Sequence, residues 1–468
     1  MASSHAAGVA AIITCTAFAA FGLWHARRTA RNQSLDDYLT ARNSIGTGLS
    51  VATLVATLAG GWILSSPALI AFFYGPAAVL GYCVGQALPM WLFPLVGNRV
   101  RALHPQAATL SDAVGARYGR SIRVLVSLLG LFYMGVYLAA ELTVIAQTLN
   151  LVAGWSLALA AAVVAASTVA YAAWGGVRTA IAVDRIQIGL IVALLAVVMT
   201  VVWQTLPDPL AGARAAESAP LAWTGIGWET ALCLVLGIAA SNLFDNSYWA
   251  RIFACRDAAV VRRSFTLSGL AIGLILLPAS LLGLWVIGNA DTTNPTTLPM
   301  ALVQAKAPAF VLPVLVLALL LAMSTVSALC NGLVGVIASD CRALGAIGDQ
   351  QTLRWARLGT VFLSIPAIWV ASFGRDATYL FFVANLVCAA AVVPVFLGLW
   401  AKRLSAAWIL AAFAIAVVAG VAWFPATIEG GTWLDLPRGQ RFSTSYVLAL
   451  GLSSLIAALG AICGRKAA

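Results

Sequence analysis

The chain of 468 residues is 62% hydrophobic and 9% charged, with a mean hydropathy of +0.95, whereas a soluble domain carries roughly 25% charged residues. That composition excludes an ordinary soluble enzyme and makes lipid the expected solvent. The net charge of +11 does not mark a nucleic-acid surface either, because the cations are spread along the chain in short groups between apolar runs.

Thirteen apolar runs follow one another: 7–24, 46–73, 77–97, 121–150, 155–173, 183–203, 228–250, 264–288, 309–338, 355–373, 378–400, 407–424 and 444–463. Each is close to or above the about 18 residues that cross roughly 30 Å of hydrocarbon. The gaps are short loops, so the expected fold is an all-α polytopic membrane protein of about thirteen transmembrane helices. The first run follows "MASSHAAG", which lacks the cationic start of a secretory signal, and precedes "HARRTAR". It is expected to be a retained span running from outside to inside. Segments 25–45, 98–123, 174–185, 250–263, 339–357, 401–403 and the C-terminus then hold 22 cations on the inner side. The outer side holds 5: Arg214, Lys306, Arg375, Arg438 and Arg441. The bias predicts an outer N-terminus and a cytoplasmic C-terminus, and it leaves no cation deep within a span.

The second run, "TLVATLAGGWILSSPALIAFFYG", places Gly60, Gly61, Ser65, Ser66 and Pro67 in mid-membrane. These residues weaken the backbone ladder there. The outcome is either a packing kink or a true break whose freed carbonyls face a cavity or a ligand. The fourth run carries Glu141 in "YLAAELTVIAQ", and the seventh carries Asp245 in "IAASNLFDNSYWARIF". A carboxylate at that depth costs several kcal/mol. Each must face a cavity, a partner or an ion, or stay protonated against a carbonyl. With no buried cation expected beside them, the two favour a cation or ammonium ligand. Asp184, in "AIAVDRIQ", lies nearer the inner end of the sixth run and by itself reads as an interfacial residue.

The ninth run contains "LLLAMSTVSALC", with Ser324, Thr325 and Ser327 in mid-span. Membrane hydroxyls commonly bond back to a carbonyl one turn earlier. Alternatively, hydroxyls of one helix and bare carbonyls of another form the oxygen cage that hard cations such as Na+ require. The eight cysteines stand singly and read as packing thiols. The three histidines lie in the tail or loops, and no P-loop, HExxH or nucleophile elbow is present. Hydrolysis and ATP-driven transport are therefore not expected.

Several motifs in order resemble the solute:sodium symporter family, whose members transport proline, sugars, pantothenate, sialic acid and urea. "SLDDYLTARNSIG", "TLSDAVGARYG", "WGGVRTAIAVDRIQ", "YWARIFACRDAAVVRR", "AMSTVS" and "FLGLWAKRLSAAW" carry the resemblance over roughly residues 34–410. It implies a leucine-transporter-like fold of two inverted five-helix repeats, 46–205 and 228–403. An extra N-terminal helix and loop (1–45) and two extra C-terminal helices (404–468) flank them. It also implies a sodium site at the carbonyls of Ala56, Ala59 and Leu321 and the hydroxyls of Ser324 and Thr325, with Asp184 nearby. Substrate candidates are Trp62, Ser65, Gln86, Tyr137, Glu141, Asn242, Asp245 and Asn246. Leu58 and "SSPA" depart from proline-transporting relatives, so the implied cargo is another small polar solute, an amino acid or other amino or cationic compound. The expected function is sodium-coupled import across the bacterial-type inner membrane by alternating access, without enzymatic activity. A proton-coupled version and a transporter-like sensor are the alternatives; no long tail follows Ala468, which makes the sensor the lesser one.

Overall fold

The computed structural model describes residues 2–29, 34–205, 208, 210–215, 220–287, 289, 295–345, 348–401, 403–426 and 441–464. Arg31, Lys402, Arg438, Arg465 and Lys466 of the charge distribution lie outside them.

Every apolar run is helical among the described residues, and no strand is present beyond one isolated bridge, Ile45 to Cys255. The first run is α1 (Ala2–Thr29), followed by the short α2 (Leu35–Thr40). The second run is interrupted: α3 (Thr47–Leu58) stops midway, a 3-10 turn covers Gly61–Leu64, and helix resumes as α4 (Ser66–Leu103). Pro67 sits in the first turn of α4, where its missing N–H costs no hydrogen bond. It starts a helix rather than kinking one. The helix α4 turns a corner at Gly75, with φ 72° and ψ −164°, which separates the second run from the third. A Cβ there would stand 2.8 Å from Pro220 O, so both the dihedral and the space demand glycine.

After α5 (Leu110–Tyr118) and α6 (Arg120–Ala153), the same device recurs. The helix α7 (Leu157–Thr205) turns at Gly176, with φ 64° and ψ −171°, and so supplies the fifth and sixth runs. Following α8 (Ala211–Ala215), the seventh run is also broken, into α9 (Gly225–Asn242) and α10 (Asn246–Ala254). The remaining helices are α11 (Ala258–Val286), α12 (Leu298–Lys306), α13 (Val311–Ala343), α14 (Asp349–Ser372), α15 (Ala377–Leu397), α16 (Ala406–Ala422) and α17 (Phe442–Cys463). Ten described helices are long and apolar enough to cross a membrane. The glycine corners in α4 and α7 each divide one of these helices between two runs, and the shorter α16 supplies the thirteenth. This is an all-α, multi-pass membrane protein with the leucine-transporter-like fold.

Helix α13 forms the axis of the bundle, packed by α3, α6, α7, α10 and α14 and buried from Leu317 to Val336. By contrast, α16 and α17 pack mainly on each other and on α15. Residues such as Leu274 (69% exposed) and Val418 (71%) remain bare, as lipid-facing side chains must. The arginine-bearing loops meet at one end. Arg42 donates to Pro105 O and Ala107 O, and Arg101 to Ile252 O and Cys255 O. Arg123 pairs with Asp112 and Asp340, and Arg178 with Asp37. The pair between Arg441 and Glu229 belongs to residues assigned to the other side.

One expectation fails. Arg251 does not sit in a loop: it is 1% exposed and its Nη2 lies 3.0 Å from Asp184 Oδ2. The break before Asn246 starts a new helix that carries "NSYWARIFA" on through the core, so the residue falls inside the bundle, not beyond its edge. Asp184 is likewise 1% exposed and not interfacial.

Candidate functional site

The break between α3 and α4 disconnects specific backbone groups, and each finds a partner. In an unbroken helix the Gly60 N–H would serve Ala56 O and the Gly61 N–H would serve Thr57 O. Here Gly60 N turns to Leu58 O at 3.1 Å, and Gly61 N to Glu141 Oε2 at 2.8 Å. The two freed carbonyls face α13. Ser324 Oγ lies 2.9 Å from Ala56 O, and Thr325 Oγ1 donates to Thr57 O at 3.2 Å. Back-bonding along α13 is therefore not how these two hydroxyls are satisfied.

Ser324 Oγ is also 3.0 Å from Asp184 Oδ1, and its single proton serves only one of the two acceptors at a time. The other carboxylate oxygen, Asp184 Oδ2, accepts from Thr53 Oγ1 at 2.5 Å and pairs with Arg251 Nη2. Arg251 in turn donates from Nε to Thr53 Oγ1 at 3.1 Å and from Nη1 to Ser247 O at 3.0 Å. All of these side chains are at most 1% exposed. The result is a buried cluster of one carboxylate, one guanidinium, hydroxyls and a carbonyl freed by the break, drawn from α3, α7, α10 and α13. Of the residues expected around sodium, Ala56, Ser324 and Asp184 meet here, while Thr325 bonds the neighbouring freed carbonyl of Thr57. Ala59 closes α3, and Leu321 precedes Thr325 by one turn, both buried. Oxygen donors with one net-neutral ion pair suit a small monovalent cation, to which the Ser324 oxygen can turn a lone pair.

The second break is capped differently. Asp245 Oδ1 accepts from Ser247 N at 2.7 Å, so this carboxylate is the N-cap of α10. The Trp249 indole N–H closes the turn onto Leu243 O at 2.8 Å. Asn246 reaches away, its Nδ2 3.3 Å from Gly332 O.

Between the breaks lies a small cavity. Trp62, Gln86, Tyr137 and Asn242 line it, as expected of substrate residues. Ser65, Glu141, Asp245 and Asn246 are not among its lining residues. The walls are mainly aromatic and amide: Tyr82, Tyr133, Phe381, Phe382 and Asn385 join the four, and Tyr133 OH donates to Asn242 Oδ1 at 3.2 Å. The Trp62 and Tyr82 rings are 5.6 Å apart, and Tyr137 meets Phe381 edge-on at 5.0 Å. Sequence reasoning missed Tyr133, although Tyr133, Tyr137 and Glu141 recur every four residues on one face of α6. The Trp62 Nε1 and Ser65 Oγ atoms are buried without hydrogen-bond partners.

A broken-helix bundle with a mid-membrane cavity is the architecture of secondary transporters. The structure superimposes on a Na+-coupled sialic acid symporter in a substrate-bound outward-open state, with a TM-score of 0.79 and 14% identity. The match covers 99% of this chain and 98% of that one. It also resembles Mhp1, a nucleobase-cation-symport-1 family transporter, with a TM-score of 0.57 and 15% identity over 93% and 97% of the two chains. No family model matches the sequence. Among characterised proteins the chain is 24% identical to the spermidine transporter DUR31 of Candida albicans, over 81% of this chain and 72% of that protein. It is 22% identical to the probable urea active transporter 1 of Schizosaccharomyces pombe, over 57% and 43%. All of these proteins are transporters and none is an enzyme.

Proposed function

We propose that this protein is a sodium-coupled symporter that imports a small solute bearing an alkylammonium group by alternating access. The observation that carries the reading is Ser324 Oγ, 2.9 Å from the freed Ala56 carbonyl and 3.0 Å from Asp184. Sodium bridging these groups ties the first core helix (α3–α4) to the eighth (α13). In this reading 46–205 and 228–403 are the inverted repeats, flanked by 1–45 and 404–468. The arginine-rich end faces the cytoplasm, the N-terminus lies outside, and the protein resides in a cell (inner) membrane.

The solute class is argued from the cavity and from the similarity to the spermidine transporter. The cavity's faces are Trp62, Tyr82, Tyr133 and Tyr137, and among the described residues no carboxylate lines it. Such a wall holds an ammonium by cation–π attraction, worth about 0.5 to 2 kcal/mol per ring, with Gln86, Asn242 and Asn385 for its polar atoms. One charge falling through 100 mV supplies about 2.3 kcal/mol, and a tenfold sodium gradient adds about 1.4 kcal/mol. Together they support an accumulation of roughly 500-fold for a neutral solute.

The test is uptake of radiolabelled alkylamines, amino acids and urea into proteoliposomes, with an inward sodium gradient or with potassium in its place. Amine uptake that requires sodium is expected. Uptake driven only by an imposed pH gradient, or solute binding without uptake, would replace this reading with the proton-coupled or the sensor one.

A further inference from the structure

A groove separate from the central cavity opens at the arginine-rich end, between α1, the start of α3 and the arm of α7 that follows Gly176. Its polar side includes His25, Arg178 and Arg185, and its apolar side includes Phe21, Leu49 and Ile186. Both long helices bare apolar side chains beside it: Trp24 is 47% exposed on α1, and Ile186 is 43% exposed on α7. The Arg28 guanidinium lies 4.0 Å from the Trp24 ring centroid, an aromatic and cation pair suited to a membrane interface.

The three basic groups are not equally free. Arg178 is held by Asp37 at 2.6 Å, and His25 Nδ1 lies 3.1 Å from Thr179 Oγ1. Arg185 is exposed, and among the described residues no carboxylate pairs with it. Its neighbour Asp184 is buried and engaged with Arg251. An unpaired guanidinium at the end of an apolar run calls for an anionic oxygen, and its planar fork matches those of a phosphate. Free phosphate would leave Phe21, Leu49 and Ile186 bare, whereas a lipid meets both sides of the groove. Among the described residues no acid lines the groove to receive a choline or ethanolamine ammonium, so the headgroup that fits carries net negative charge. We propose that this groove binds an anionic phospholipid, with its phosphate on Arg185 and an acyl chain along Phe21, Leu49 and Ile186. The site is independent of which solute or ion the protein carries.

The test is native mass spectrometry of the delipidated full-length protein in detergent, titrated with phosphatidylglycerol. One tightly held lipid per chain is expected. Its affinity should fall about tenfold in Arg185→Gln and severalfold in Ile186→Gln, which leaves the charge untouched. Arg263→Gln, which removes another exposed cation of the arginine-bearing segments, should bind like wild type. Thermal unfolding without lipid checks that each variant is folded. Wild-type affinity in both Arg185→Gln and Ile186→Gln overturns the site, as does an equal loss in Arg263→Gln. Glycerol phosphate that competes as well as the lipid overturns the acyl-chain contact, and phosphatidylcholine that binds as tightly overturns the preference for an anionic headgroup.

Discussion

Asp184 and Glu141 are both buried carboxylates, yet they are satisfied in opposite ways. Asp184 has every oxygen engaged: Thr53, Ser324 and the Arg251 guanidinium surround it. Glu141 has one oxygen anchored on the backbone and one bare. The chain thus carries its own counter-ion for the first carboxyl and, among the described residues, none for the second.

The comparison breaks most visibly at Arg251. Arg251→Met leaves Asp184 buried and unpaired, and a loss of about 3 to 5 kcal/mol of stability is expected in thermal unfolding of the purified protein. Adding Asp184→Asn should return much of it; strictly additive losses would mean that the pair is not coupled. Next in size is Ser324→Ala, for which the half-saturating sodium concentration should rise about tenfold, near 1.4 kcal/mol. An unchanged value would remove Ser324 from the ion's ligands. Trp62→Leu should weaken amine uptake roughly five- to thirtyfold, in line with about 1 to 2 kcal/mol of cation–π attraction. Sodium binding measured without solute should stay put, and a parallel loss of both would place the indole in the ion site instead. Smallest is Asp245→Ala, expected to cost about 1 kcal/mol through the lost cap of α10 and to leave sodium stoichiometry at the wild-type value.

Much of this molecule is legible in its sequence because lipid imposes simple demands. Thirteen apolar runs, mid-membrane Gly60 and Gly61, and the polar interruption from Ser241 to Asn246 each announce an element or its break. What stayed hidden depends on rotation and on where a helix restarts. Arg251 follows the apolar run 228–250 by a single position, where a boundary error of a residue or two separates loop from core. Only the new start at Asn246 puts it inside, under the carboxylate of Asp184. Asp245 and Glu141 look alike as isolated acids in spans. The difference between a cap and a bare oxygen lies in which backbone N–H groups the two breaks leave free, and no spacing in the sequence records that.

The corners at Gly75 and Gly176 have a mechanical consequence. Each joins two helical arms through one residue, with no slack for a loop to absorb. The helical segment 66–74, which follows the break after Leu58, cannot tilt without turning the arm 76–103. The arm that carries Asp184 is likewise geared to 157–175. A tilt of one arm is thereby passed through either corner to the arm beyond it.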